Sequence, residues 1–280
     1  MTGETVDKQQ NTVAENLAPL ADGKQERHPR KRGVYLLPNL LTTGAMFAGF
    51  YAIVAAMQGK FEAAAVAVFI AMILDGLDGR VARLTNTQTA FGAEYDSLSD
   101  LVSFGLAPSL IMYQWALVHL REMGTTWGKL GWLVAFIYVA CTALRLARFN
   151  TQIGKADKRF FTGLPSPTAA AIMVGTVWVL HDLDLGGRNL QIPALLLTLC
   201  VGLLMVSNLS YYSFKNLNLR SKMPFVVMLA VLLGFALVTL DPPKVLFTFF
   251  LTYTLSGPVL WLNRVYRRYK RRRSTSNSDT

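Results

Sequence analysis

An all-α membrane bundle of about eight transmembrane helices, with both chain ends on the cytoplasmic side, is the fold class that three observations predict. The composition is too apolar for a soluble globule: 52% of the 280 residues are hydrophobic, 16% are charged, and mean hydropathy is +0.33. Apolar stretches of about 17 to 25 residues, the length a helix needs to cross a bilayer, recur from Tyr35 onward with short polar breaks. Basic residues also segregate. On an eight-span topology with the N-terminus inside, 23 of the 28 lysines and arginines fall on the inner side and five on the outer.

Taken in order, residues 1–33 are polar and lack an apolar core, so they are neither a signal peptide nor a span and read as a disordered cytoplasmic tail. The spans fall at about 36–57, 62–84, 96–120, 130–149, 166–182, 190–207, 223–240 and 244–263. The second and third are weakened by acids near their ends, and Asp241-Pro242-Pro243 makes a tight turn before the last. Pro108 should kink the third span. Residues 34–264 thus form one membrane domain, followed by a basic cytoplasmic tail, 265–280. The run Arg267-Arg268-Tyr269-Lys270-Arg271-Arg272-Arg273 reads as an anchor for anionic lipid head groups, at ~1 kcal/mol per basic residue. It explains much of the net charge of +11 without nucleic acid as a partner. Two cysteines in apolar runs, Cys141 and Cys200, and three scattered histidines leave metal binding to carboxylates.

Those carboxylates concentrate in one place. Asp75-Gly76-Leu77-Asp78-Gly79-Arg80-Val81-Ala82-Arg83 ends the second span, and Gly92-Ala93-Glu94-Tyr95-Asp96-Ser97-Leu98-Ser99-Asp100 begins the third. At 3.6 residues per turn, Asp75, Asp78, Gly79 and Ala82 share one helical stripe, while Gly92, Asp96 and Asp100 share another. Four acids at a membrane edge repel one another by about 4 kcal/mol per close pair at 4 Å and an effective dielectric near 20. Arg83 offsets part of this, and bound divalent cations are the economical remainder. Oxygen ligands favour Mg²⁺, Mn²⁺ or Ca²⁺ over zinc, and two ions would balance four carboxylates and still attract a pyrophosphate. Gly76, Gly79 and Ala82 either leave room for a ligand beside the acids or serve as helix-packing contacts.

The same residues match the signature D-x2-D-G-x2-A-R-x8-G-x3-D-x3-D at every position, here Asp75, Asp78, Gly79, Ala82, Arg83, Gly92, Asp96 and Asp100. In this the chain resembles the CDP-alcohol phosphatidyltransferase family. The resemblance implies a membrane enzyme that moves a phosphatidyl group from a CDP-activated lipid to an alcohol and releases CMP. It also implies Asp75, Asp78 and Asp96 as metal ligands, Asp100 at the metal site and as general base, and Asp75, Gly79, Ala82, Arg83 and Gly92 around the CDP-lipid. A homodimer, a Mg²⁺ or Mn²⁺ cofactor (two ions) and a site on the cytoplasmic face of the inner membrane are further implications. The segments Pro38-Asn39-Leu40-Leu41-Thr42, Asp96 to Gly105, Arg145-Leu146-Ala147-Arg148-Phe149-Asn150 and Phe161-Thr162-Gly163-Leu164-Pro165-Ser166-Pro167 resemble the membrane-integral members that use L-serine with CDP-diacylglycerol.

Other acceptors, namely glycerol-3-phosphate, inositol or choline, are the alternative within the family; a divalent-metal transporter is the alternative outside it. A transporter predicts acids near mid-membrane on several separated helices, whereas these gather at the edge of two neighbours. Arg145 and Arg148, at i and i+3 of one helix end, either meet a carboxylate or phosphate with forked hydrogen bonds or anchor the interface. Ser166 between two prolines is either helix-start chemistry or a substrate contact, and Lys215 either interfacial or turned toward an anionic substrate.

Overall fold

The computed structural model describes residues 36–152, 160–212 and 225–276. The N-terminal tail and Lys215 lie outside the described residues. Nine α-helices account for most of what is described: α1 (Leu36–Met57), α2 (Phe61–Leu84), α3 (Ala90–Asp100), α4 (Ala107–Trp115), α5 (Thr125–Gln152), α6 (Ser166–Asp182), α7 (Gln191–Val206), α8 (Phe225–Leu240) and α9 (Pro242–Ser276). Two three-residue strands, β1 (Phe160–Thr162) and β2 (Ser210–Tyr212), pair antiparallel, with Phe161 opposite Tyr211.

Small residues bring α1 and α2 together. Ala45, Ala48, Ala52, Ala55 and Ala56 of α1 and Ala64, Ala65, Ala67, Val68 and Ala71 of α2 are all buried. Without lipid-excluded hydrophobic drive, close backbone approach is what joins membrane helices, and alanine permits it. Gly59, at φ +75°, makes the tight turn between them, a conformation that costs glycine little. Outside, large apolar side chains face outward along the bundle: Leu40, Phe47 and Leu233 are 68%, 69% and 61% exposed. A surface of that kind requires an apolar solvent.

The third expected span is built in pieces. Thr89 caps α3 by accepting the Gly92 amide at 3.0 Å. A π-helical stretch, Leu101–Leu106, then leads into α4 with Pro108 in its first turn. The proline is thus absorbed by a wider helical turn, and the sharp bend of 41° comes later, between α4 and the 3₁₀ turn Leu117–Met123. Close approach recurs here: a Cβ at Gly49 of α1 would sit 2.7 Å from Ser103 Oγ and 2.8 Å from its Cα.

By length and composition, α1, Thr125–Thr151 of α5 and Pro242–Leu262 of α9 can cross a membrane, and the bent α3/α4 unit makes a fourth. Helix α2 has 24 residues but carries Asp75, Asp78, Arg80 and Arg83. Helices α6, α7 and α8 have 17, 16 and 16 residues, near 25 Å at 1.5 Å per residue and short of a ~30 Å hydrocarbon core. Helix α9 runs through Ser276, so much of the expected basic tail continues the last helix.

The chain passes up and down between two ends. At one end His119 and Arg188 both hold Glu122, at 3.2 and 2.8 Å, and Lys244 links Asp241 (2.6 Å) to Asp182 of α6 (4.0 Å). The His119 hydrogen bond, then Arg188, holds the Glu122 carboxyl below its ordinary range. At the other end lie the β-ribbon, the start of α1, the end of α2, the start of α3, the end of α5 and the start of α6. The four acids are there.

Candidate active site

Helix α2 delivers Asp75 and Asp78 one turn apart, and α3 delivers Asp96 and Asp100 one turn apart. The turn between them, Thr85 to Thr89, folds α3 back so that the two stripes converge. One carboxylate oxygen each from Asp75, Asp78 and Asp96 lies within 4.8 Å of the others. Asp100 adjoins this trio through Asp75, which is within hydrogen-bonding reach of both Asp96 and Asp100. Asp78 is the most enclosed, at 4% exposure.

Hydroxyl groups on α1 and α3 set the positions. Thr42 Oγ1 donates to Asp78 Oδ2 at 2.6 Å and lies 3.0 Å from the Pro38 carbonyl. Ser99 donates to the Thr42 carbonyl at 3.1 Å and Ser103 to the Ala45 carbonyl at 3.0 Å, which ties α3 and the π turn to α1. Tyr95 and Thr43 share a hydrogen bond of 2.9 Å, and Asn150 of α5 donates to Ser97 at 3.0 Å. The acids therefore sit in a frame clamped from two sides.

Beside the trio lies a cavity of about 290 Å³. Asp78, Gly79, Ala82, Arg83, Gly92 and Asp96 line it, together with Asn39 and Thr42 of α1 and Thr87, Gln88 and Thr89 of the turn. Every residue that the signature set around the donor lines it except Asp75, which stands on the acid side. A Cβ at Gly79 would meet nothing within 4 Å, so this glycine fronts open space, whereas one at Gly92 would lie 3.1 Å from Thr89 Oγ1. A larger cavity of about 720 Å³ runs along α9 from Lys244 to Leu260; no acid lines it and it belongs to the bundle's outside.

The two arginines of α5 separate. Arg145 Nη1 donates to Ser166 Oγ at 2.6 Å, at the start of α6, and its guanidinium lies in the field of Asp100, Tyr138 and Tyr253. Arg148 turns away, donating to Asn208 Oδ1 at 2.8 Å and to the Val206 carbonyl at 3.4 Å, where it holds the end of α7. Spacing alone put both on one end of one helix; the neighbours at their two azimuths decide which faces the acids. Sequence reasoning quoted Asn39 and Thr42 for their resemblance but gave neither a place in the site. Their signal was polar side chains at i and i+3 on an otherwise apolar helix.

Two features of the acids suit a cation. Their three converging oxygens are all hard donors, and Asp96 Oδ1 is buried without a hydrogen-bond partner among the described residues. A buried, unpaired carboxylate oxygen is costly, and a bound cation would satisfy it.

Fold and cleft together define a helical membrane protein with a carboxylate-lined ligand site at one end of its bundle. Residues 35–234 match the CDP-alcohol phosphatidyltransferase family, and the chain belongs to it. It is 38% identical over 229 residues to a CDP-diacylglycerol–serine O-phosphatidyltransferase of Helicobacter pylori, covering 82% of this chain and 92% of that one. A protein of the same name from Mycobacterium tuberculosis is 42% identical over 153 residues, covering 52% of this chain and 50% of the other. An archaetidylserine synthase of Methanothermobacter thermautotrophicus is 34% identical over 177 residues, covering 62% and 69%.

Proposed function

We propose that this protein transfers the phosphatidyl group of CDP-diacylglycerol to L-serine, forming phosphatidylserine and CMP. The observation that carries the reading is the junction of the acidic trio with a cavity lined by Gly79, Ala82, Arg83 and Gly92, in a chain whose relatives bear serine-transferase names. Asp75, Asp78, Asp96 and Asp100 would hold two divalent ions, Mg²⁺ or Mn²⁺. Bound there, such ions would neutralise diphosphate charge and polarise the phosphorus that is attacked.

The chain's own groups do the rest. Arg83 at the cavity wall pairs with negative charge on the nucleotide side. The bare backbone at Gly79 lets a flat group approach α2. Asp100 takes the proton from the acceptor hydroxyl as that oxygen attacks phosphorus, and CMP leaves in line with it. Arg145, held by Ser166, meets the acceptor's anionic group, while Arg148 holds the end of α7. No covalent enzyme intermediate is needed, so kinetics are sequential.

Orientation follows from charge. With eight crossings and the acids on the cytoplasmic face of the inner membrane, the inner side holds 23 of 28 basic residues. The pairing of β1 with β2 supports it, because both strands fall in segments assigned to that side. The membrane domain is taken as 34–264, with a homodimer as its assembly and anionic lipids around its basic end. The test is CMP release from CDP-diacylglycerol by purified protein, with and without L-serine and chelator. Release that needs L-serine and is abolished by chelator supports the reading; release with glycerol-3-phosphate, inositol or choline but not serine overturns the acceptor.

A further inference from the structure

Helix α9 lies beyond the family-matched residues, which end at 234, yet it reaches the acidic end of the bundle. Its register there is tightly fixed. A Cβ on Gly175 of α6 would lie 3.3 Å from Phe247, and Phe69 and Phe250 are in ring contact at 6.2 Å. The fully buried Tyr211 of β2 donates to the Thr254 carbonyl at 3.3 Å, and its ring fills the space that Gly257 leaves open. Tyr253, between these contacts, packs on Tyr211 with ring centroids 5.8 Å apart. Its neighbour on the site side is the Arg145 guanidinium, whose charge it feels.

Arg145 has unusual freedom for a half-buried cation beside four acids. Among the described residues no ion pair within 4.0 Å joins it to a carboxylate. Its Nε is buried without a hydrogen-bond partner, and its one side-chain contact is neutral, Ser166. Asp100 acts on it from beyond direct contact. A gap therefore separates a carboxylate that can accept a proton from a guanidinium that can receive an anion. An amino-acid alcohol, with hydroxyl and carboxylate at opposite ends of a three-carbon skeleton, spans such a gap. Leaving Nε unmatched is costly unless a ligand oxygen reaches it.

We infer that Tyr253 of α9 is a specificity-determining residue that, with Arg145 and Ser166, forms the subsite for the acceptor's carboxylate, so that the last helix completes a site whose other parts lie within residues 35–234. The inference rests on the proposed transfer to serine and adds to it how the acceptor is told from other alcohols. Tyr253 contributes a phenol beside the guanidinium fork; a carboxylate can take hydrogen bonds from both.

The test compares L-serine with L-serine methyl ester, which keeps the hydroxyl and ammonium but not the carboxylate charge, in CMP-release assays on full-length wild type and Tyr253→Phe. Phenylalanine preserves the ring contact with Tyr211. Wild type should favour L-serine over the ester by at least ~10-fold in kcat/KM, as expected for a charge-assisted contact. In Tyr253→Phe, KM for L-serine should rise about fivefold, the size of one lost hydrogen bond. Its kcat and its KM for CDP-diacylglycerol should stay within twofold, and its preference over the ester should shrink. Should that variant fail to fold, Arg145→Lys, which keeps charge but loses the fork, should show the same loss of preference. An active wild type with no preference for the free acid, or a Tyr253→Phe enzyme with unchanged KM for L-serine, overturns the subsite alone. A wild type that releases no CMP with L-serine overturns the transfer reading and this inference with it.

Discussion

Thr42→Val isolates the contribution of α1 to the acids. The Thr42 hydroxyl donates to Asp78 Oδ2 at 2.6 Å, a short bond to a carboxylate that is 4% exposed. Valine replaces the hydroxyl with a methyl of similar size, so the α1 helix and the Ser99 bond to the Thr42 carbonyl both remain. A hydrogen bond to a charged group contributes about 1.5–3 kcal/mol, which at 1.4 kcal/mol per decade is a factor of about 10 to 100. Groups that orient metal-binding carboxylates affect affinity on the same scale. On the proposed reading the loss falls on cation binding, because Asp78 keeps its charge but not its direction. CMP release titrated with Mn²⁺ or Mg²⁺ should show the half-saturating concentration rising about 10- to 100-fold. The rate at saturating metal should stay within about threefold. An unchanged metal dependence would refute the role given to Asp78, and a rate that no metal concentration restores would refute the claim that Thr42 acts only by orienting it.

Asp100→Asn should fold, as judged by its melting in detergent, but release CMP at least ~100-fold more slowly, in keeping with loss of a general base; a melting loss with activity retained per folded molecule would contradict this. Two glycine substitutions should part company. Gly79→Ala fronts open space, so stability should hold while KM for CDP-diacylglycerol rises; Gly49→Ala drives a Cβ against the Ser103 backbone, 2.8 Å from its Cα, and should lower stability by about 1–3 kcal/mol. Arg148→Ala should lower stability by about 0.5–1.5 kcal/mol through its lost bonds to Asn208 and the Val206 carbonyl, with KM for L-serine unchanged. The comparison of melting temperature with KM separates these cases.

Local spacing made the acidic half of the site legible. Asp75, Asp78, Asp96 and Asp100 lie on two helices separated by one turn, so helical periodicity alone implies that they can face each other. The wall supplied by α1 was not legible in that way. Thr42 lies 36 residues from Asp78, and a threonine in an apolar helix ordinarily bonds its own i−4 carbonyl, as Thr42 also does with Pro38. Nothing in its sequence context distinguishes that habit from a second bond across the bundle. Arg145 and Arg148 show a different limit. Three residues along a helix is a 60° change of azimuth, enough to turn one guanidinium toward Ser166 and the other toward Asn208. The helix ends were read closely where hydropathy changes abruptly, as at Leu36–Met57 and Ser166–Asp182. They were missed where polar sequence remains helical, at the start of α3 and beyond residue 263 of α9.

The four-residue interval between Asp96 and Asp100 has a geometric consequence for the reaction. One turn advances α3 by about 6 Å. Asp96 lines the glycine-walled cavity, while Asp100 contacts Asp75 and faces the field of Arg145. The two carboxylates thus address different partners from a single rigid helix. In-line displacement needs the entering oxygen and the departing CMP on opposite sides of phosphorus. A donor held on the Asp96 side and an acceptor deprotonated on the Asp100 side meets that requirement without any movement of α3. The clamps on α3, Ser99 to Thr42, Tyr95 with Thr43 and Asn150 to Ser97, then have a reason beyond stability. A shift of about 1 Å in this helix would misplace donor and base together, and such a displacement alone can cost about 100-fold in rate. Ser97→Ala, which removes only the Asn150 clamp, should accordingly lower kcat more than it raises either KM. An effect confined to KM for one substrate would mean that α3 is not the element aligning both.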